Sequence, residues 1–177
     1  DKVLVVFGHS KGIGREICKL AEKYGAKVFG FSRENGINIA DYNLVKKALF
    51  GVYENTGKID YIINTAGILN IGYLENRDIK DIQEEFSVNY LGAINIAKES
   101  FKYLKESKGS LLFYTSSSYT RGRAKYCTYS SSKAAIVNLA QALSEEWMAY
   151  DIKVNAINPE RTATEMRFQN FGKEPEE

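Results

Sequence analysis

The chain has 177 residues, 44% of them hydrophobic and 26% charged, the composition of a soluble globular protein. Its 24 Lys and Arg stand against 22 Asp and Glu, and the net charge of +2 gives no electrostatic case for a nucleic-acid or membrane partner. No apolar run approaches the roughly 20 residues of a membrane span, and two cysteines without C-x-x-C spacing, Cys18 and Cys127, point to reduced cytoplasmic thiols, with neither disulfide framework nor metal site.

The length suits one domain over 1–177, burying about 70% of the surface its unfolded form exposes. The sequence runs from Asp1 straight into an apolar segment, with no initiator Met or signal peptide, and stops at Glu177 in an acidic, proline-containing stretch. The expectation is a domain belonging to a longer chain.

Apolar runs alternate with helical patterns. Val3 to Phe7 is β-branched-rich and bounded by Gly8, as a buried parallel strand is. Gly12 to Tyr24 places Ile13, Ile17, Leu20 and Ala21 on one helical face, and Gly25 ends it. Ala26 to Phe31 is the second strand, and Ile37-Asn38-Ile39 a short third candidate. Asp41 can cap a helix burying Leu44, Val45, Ala48, Leu49 and Val52. Asp60 to Asn64 is the fourth strand. A long helix spans Asp78 to Glu106, and Ser110 to Thr115 is the fifth strand. A helix over Cys127 to Tyr150 precedes the sixth strand, Ile152 to Ile157. Such alternation implies an α/β fold, a Rossmann-like doubly wound parallel sheet with helices on both faces. One link fits poorly: only Ser32 to Gly36 separates strands two and three, whereas a parallel crossover needs a dozen or more residues.

Three motifs carry chemistry. Gly8-His9-Ser10-Lys11-Gly12-Ile13-Gly14 lies between a strand and a helix, where glycines permit tight turns and free helix N–H groups attract a pyrophosphate. The second strand ends in Ser32-Arg33 with no acid until Glu34. An acid here would bind the ribose hydroxyls of NAD, whereas cations such as Arg33 and Lys11 suit the 2′-phosphate of NADP. Tyr129-Ser-Ser-Ser-Lys133 puts a phenol and an ammonium on one helical face, where the cation can lower the phenol pKa and tune it for proton transfer.

Their context is Asn64-Thr-Ala-Gly67 closing strand four, Val88-Asn89 within the long helix, Thr115-Ser-Ser-Ser118 closing strand five with Ser116 thirteen residues before Tyr129, and Asn158-Pro159 closing strand six. In this order the motifs resemble the short-chain dehydrogenase/reductase family. The resemblance implies a catalytic tetrad of Asn89, Ser116, Tyr129 and Lys133, with Ser117 and Ser118 competing for the serine's place and the thirteen-residue spacing favouring Ser116. Ser116 would bond the substrate carbonyl, Tyr129 protonate its oxygen, Lys133 lower the Tyr129 pKa and hold the nicotinamide ribose, and Asn89 hold a relay water. It further implies cofactor contacts from Gly8, Ser10, Lys11, Gly12, Ile13, Gly14, Ser32, Arg33, Asn38, Ile39, Asn64, Ala66, Gly67, Tyr129, Lys133, Pro159, Thr162 and Thr164. Glu160 replaces the family's usual Gly after the strand-six proline, and the family's substrate lid and last strand would lie largely beyond this sequence. In the resembled family the helices after strands four and five pair across a two-fold axis. Here they carry Phe86, Phe101, Leu143 and Trp147, and a homodimer is expected.

Asn158-Pro-Glu-Arg-Thr-Ala-Thr-Glu-Met-Arg followed by Asn170-Phe-Gly172 is similar, more narrowly, to the reductase domain of bifunctional ribulose 5-phosphate reductase/CDP-ribitol pyrophosphorylase enzymes. These fuse a cytidylyltransferase to a reductase for capsule or teichoic-acid-like polymers. That likeness implies NADPH-dependent reduction of a phosphorylated ketose, with D-ribulose 5-phosphate giving D-ribitol 5-phosphate, and Arg161 and Arg167 as cations for the substrate. Two other readings stand beside it. One is reduction of a 3-oxoacyl thioester or another small ketone, and the other a dinucleotide-binding scaffold without turnover.

Overall fold

The computed structural model describes residues 2–172. Five parallel strands form one sheet: β1 (Val3–Phe7), β2 (Lys27–Phe31), β3 (Tyr61–Asn64), β4 (Ser110–Tyr114) and β5 (Lys153–Ile157), in the order β2-β1-β3-β4-β5. Phe7 is in register with Phe31 on one side and Asn64 on the other. The strand order therefore reverses beside β1, and open α/β sheets bind ligands in the crevice beyond the strand carboxyl ends at such a switch point.

The helices are α1 (Gly12–Lys23), α2 (Tyr42–Thr56), α3 (Ile79–Phe86), α4 (Gly92–Ser107), α5 (Cys127–Trp147) and α6 (Glu165–Phe171). Val3, Val5 and Phe7 of β1 join the main core with Val45, Leu49, Ile96 and Leu104 of α2 and α4. Strand side chains alternate between faces. Leu4, Ile63 and Leu112 line an open apolar hollow of about 460 Å³ beside Ile17, Leu20 and Tyr24 of α1, a hollow that shares no residue with the Tyr129–Lys133 region. Among the described residues no helix is long and apolar enough to cross a membrane, and Cys18 and Cys127 are both free thiols.

The third candidate strand does not form. Residues 33–35 make a 3-10 turn capped at both ends: Ser32 Oγ accepts from Glu34 N at 3.2 Å, Asn35 Oδ1 accepts from Ser32 N at 2.8 Å, and Gly36 closes it at φ +84°. The link is too short to carry the chain across the sheet, so Ile39 turns inward instead. A β-carbon on Gly92 would lie 2.6 Å from Ile39 Cγ1, and the Ile39 carbonyl accepts from Asn95 Nδ2 at 2.9 Å. The Ile39 side chain thus serves the core, so any cofactor contact by this residue falls to its backbone. Asn38 stays exposed, its Oδ1 accepting from Ala40 N at 3.1 Å.

The long helix runs from Ile79 to Ser107 as expected, but a π-helical turn over Ser87–Leu91 divides it into α3 and α4. Such turns admit one extra residue and re-aim the side chains within them, and Asn89 lies inside this one. The aromatic residues expected to spare surface for a partner are largely used within the chain. Trp147 is buried, and Phe101 packs against Trp147 and Tyr150 with ring centroids 5.3 and 5.1 Å away.

Candidate active site

The glycine loop is shaped by contacts that leave no room for β-carbons. Gly8 adopts φ +86°, and a β-carbon there would lie 2.5 Å from Ala66 N; one on Gly14 would lie 2.3 Å from the Gly8 carbonyl oxygen. Thr65 locks the turn, its hydroxyl bonding the Phe7 and Gly8 carbonyls at 2.9 and 3.1 Å. Asn64 Oδ1 accepts from Ala66 N at 3.1 Å. The loops after β1 and β3 therefore sit against each other at the switch point. His9 packs on Gly30, where a β-carbon would be 2.3 Å from the imidazole.

An anion already sits at the start of α1. Glu165 Oε2 accepts from Gly12 N at 3.0 Å, and its other oxygen pairs with Arg15 at 2.9 Å. These contacts hold the Glu165 carboxyl below its ordinary range; a backbone hydrogen bond of its own leads the causes. The same contact brings Thr164, the cap of α6, over Gly12. The α1 N-terminus thus presents donors that bind negative charge, as a pyrophosphate site must, and the residues fit a dinucleotide.

Of the cations proposed to choose the cofactor, Lys11 pairs with Glu34 at 3.3 Å and Arg33 with Glu84 at 3.1 Å. Both pairs are exposed and so weak. The Ser32 hydroxyl is engaged in capping its own turn. After β5, Pro159 is half-buried, Arg161 and Thr162 are exposed, and Thr162 bonds the Glu160 carbonyl at 2.9 Å.

Asn89, Lys133 and Gly67 converge. A β-carbon on Gly67 would lie 3.2 Å from Asn89 Oδ1 and 3.4 Å from Lys133 Nζ. Asn89 grips the loop after β3 twice, accepting from Ile68 N at 2.8 Å and donating to the Ile68 carbonyl at 2.9 Å, with a further bond to Ser132 Oγ at 3.2 Å. Lys133 is buried and donates to the Tyr114 carbonyl at 3.1 Å, while the Thr115 hydroxyl bonds the Lys133 carbonyl at 2.9 Å. Burial lowers the Lys133 pKa to about 8.

Tyr129 lies beside both Lys133, whose Nζ is 5.7 Å from its ring centre, and the hydroxyl of Ser116. Burial raises the phenol pKa and the Ser116 hydrogen bond opposes it, while the Glu85 and Tyr126 charges add to the rise. The expected lowering by Lys133 is not seen, because that ammonium is directed at the Tyr114 carbonyl. Desolvation decides the direction, and the phenol stays protonated at neutral pH.

Several contributors lie outside the tetrad and cofactor residues named from sequence. Ser118 is buried and donates to Ser116 Oγ at 3.2 Å, so it orients that hydroxyl. Glu85 is fully buried, paired with Arg77 at 3.0 Å, bonded to Thr128 at the start of α5 and to Asn70 N at 3.0 Å. This cluster fixes the α5 turn that carries Tyr129. Glu85 reads in sequence as one of two adjacent surface acids, and nothing there distinguishes it.

A switch-point glycine cradle beside buried Lys133 and Asn89 and half-buried Tyr129 and Ser116 defines a dinucleotide-dependent oxidoreductase. The family model "short chain dehydrogenase" matches residues 35–175, and this chain belongs to that family. It is 49% identical over 99% of its length to the Haemophilus influenzae bifunctional ribulose 5-phosphate reductase/CDP-ribitol pyrophosphorylase Bcs1, of which it spans 37%. Among solved structures, a small-chain dehydrogenase in complex with NADPH is 31% identical with a TM-score of 0.83, covering 94% of this chain and 74% of that one. The Brucella melitensis 3-ketoacyl-(acyl-carrier-protein) reductase complexed with NADH shares the fold at 23% identity and a TM-score of 0.91, covering 97% and 80% of the two chains.

Proposed function

We propose that this chain reduces the ketone of D-ribulose 5-phosphate to the secondary alcohol of D-ribitol 5-phosphate, with NADPH, as one step towards CDP-ribitol and a capsule or teichoic-acid-like polymer. The 49% identity over 99% of this chain to the H. influenzae bifunctional enzyme, of which it spans 37%, carries the substrate reading. A cytidylyltransferase fused to this domain, a cytoplasmic location and a homodimer through α4 and α5 belong to the same proposal.

A bound nicotinamide dinucleotide supplies the hydride. Gly12, Ile13 and Gly14 would hold its pyrophosphate at the α1 N-terminus in place of the Glu165 carboxylate, and Lys11 and Arg33 would hold the 2′-phosphate in place of their exposed acidic partners. Ser116 bonds the substrate carbonyl oxygen, and Tyr129, a protonated phenol at neutral pH, donates its proton to the oxygen as negative charge develops there. Lys133 holds its own proton next to that phenol, and Asn89 fixes the β3 loop against α5.

The test is turnover by the full-length enzyme on D-ribulose 5-phosphate and on a 3-oxoacyl thioester, each with NADPH and with NADH. Preferred reduction of the ketose phosphate with NADPH supports the reading. Preference for the thioester would replace the substrate, and preference for NADH would replace the cofactor.

A further inference from the structure

Residues 116–127 leave β4 at its carboxyl end and lead into α5 just before Tyr129. They carry Arg121, Arg123 and Lys125 on alternate positions, with no acidic residue among them. All three are exposed, and among the described residues none pairs with a carboxylate, whereas Arg15 and Arg77 each do. Uncompensated cations on one short loop create a positive potential at the site entrance.

The loop is fastened in place. Lys125 takes a left-handed turn at φ 68°, its carbonyl accepts from Gly72 N at 3.1 Å, and its ammonium lies 4.9 Å over the Tyr73 ring. Tyr126 stacks on Phe171 of α6, with centroids 6.3 Å apart and planes 7° from parallel. The Arg167 guanidinium lies 5.5 Å over that same Phe171 ring. Arg123 and Arg167 both act on the Tyr126 hydroxyl, opposing the upward push of burial on its pKa. Tyr126 in turn acts on Tyr129. Arg123, whose carbonyl accepts from Tyr126 N at 3.1 Å, and Arg167, stacked over the ring that Tyr126 faces, thus flank one tyrosine close in sequence to Tyr129.

We propose that Arg123 and Arg167, meeting around Tyr126, form the rim that binds the phosphate of the substrate, with Arg121 and Lys125 strengthening its positive potential. The assignment rests on the reading of the substrate as a phosphorylated ketose. Guanidinium forks bind phosphate oxygens bidentately. A ketose phosphate carries its phosphate at the far end of a short carbon chain from its carbonyl, so an anchor beside Tyr126 leaves the carbonyl at Tyr129. α6 is held against the loop by the Tyr126–Phe171 stack, which makes the rim complete only when α6 is seated.

The experiment compares D-ribulose 5-phosphate with D-ribulose in the full-length enzyme and its Arg123→Gln and Arg167→Gln variants. Each variant should lower the preference for the phosphorylated ketose, as the ratio of kcat/KM values, by about tenfold or more, the worth of one hydrogen bond between charged groups. Direct titration of inorganic phosphate into the NADPH-saturated enzyme reads the rim without turnover, and the same variants should weaken that binding by a similar factor. Wild-type enzyme that prefers the phosphate ester, with variants that keep both the preference and phosphate binding, overturns the rim and leaves the substrate standing. Wild-type enzyme indifferent to the phosphate removes the substrate reading. In that case unchanged phosphate binding by the variants overturns the rim as well, and weakened binding retains it as an anion site.

Discussion

Replacing Lys133 with Met should make the fold more stable while it removes activity. Lys133 is buried, and its pKa falls from an ordinary 10.5 to about 8 by desolvation. Each decade of proton affinity is worth about 1.4 kcal/mol, so keeping the ammonium charged costs the folded state about 3 kcal/mol at neutral pH. Met has a comparable length and no charge to desolvate. Loss of the bond to the Tyr114 carbonyl takes back about 1 kcal/mol, for a net gain of about 2 kcal/mol. The pH dependence carries the diagnostic sign. The folded state binds this proton less tightly than the unfolded state, so between pH 8 and 10.5 the unfolded chain holds more protons and stability rises with pH. The wild type should therefore gain on the variant through that window, and the difference between their urea-unfolding free energies should close and then reverse. Other groups titrate there too, but they cancel in the difference. A gap that stays constant from neutral pH to pH 10.5 would refute the claim that Lys133 is held charged against its own desolvation.

Three further outcomes follow from the same geometry. Arg33→Asp should reverse the cofactor preference, because it removes a cation for the 2′-phosphate and supplies an acid for ribose hydroxyls; titration of NADPH and NADH into wild type and variant reads it, and an unchanged ratio counts against Arg33. Glu85→Leu leaves Arg77 buried and unpaired and should cost about 3–5 kcal/mol, whereas Arg77→Met with Glu85→Leu should recover most of it, as measured by chemical unfolding. Ser118→Ala should lower kcat with little change in cofactor affinity, since Ser118 orients Ser116; an unaltered kcat would show that Ser116 needs no such support.

The sheet was legible because its strands are short, largely apolar runs, and four of the five end at or just before Gly8, Asn64, Thr115 or Asn158, where the apolar run breaks. The exception in the other direction was Ile37-Asn38-Ile39, whose alternation looks like a strand. Its isoleucines are apolar because Ile39 packs on Gly92, and a pattern of two apolar positions cannot tell a strand from an inward-turned link. The chemistry-bearing motifs sit at fixed offsets, so the meeting of Asn89 and Lys133 at Gly67 and of Tyr129 with Lys133 and Ser116 could be anticipated. Their electrostatics could not. The direction of the Tyr129 shift depends on burial and on where Lys133 Nζ points, both properties of the packed site. The Arg77–Glu85–Thr128 cluster was invisible for the same reason: an acid at a helical position reads as surface until its partners, eight and 43 residues away, are brought to it by the fold. The link from Glu165 to Gly12 spans 153 residues and has no local signature at all.

The proton-donor role of Tyr129 is the claim on which the account turns. Full-length enzyme should oxidise NADPH in the presence of D-ribulose 5-phosphate, with ribitol 5-phosphate accumulating in step. Tyr129→Phe keeps the ring and removes the proton, so NADPH should bind as in the wild type while turnover falls by at least about 10² to 10⁴, the range for losing a general acid. A Tyr129→Phe enzyme that reduces the ketose phosphate at near wild-type rate would contradict the account.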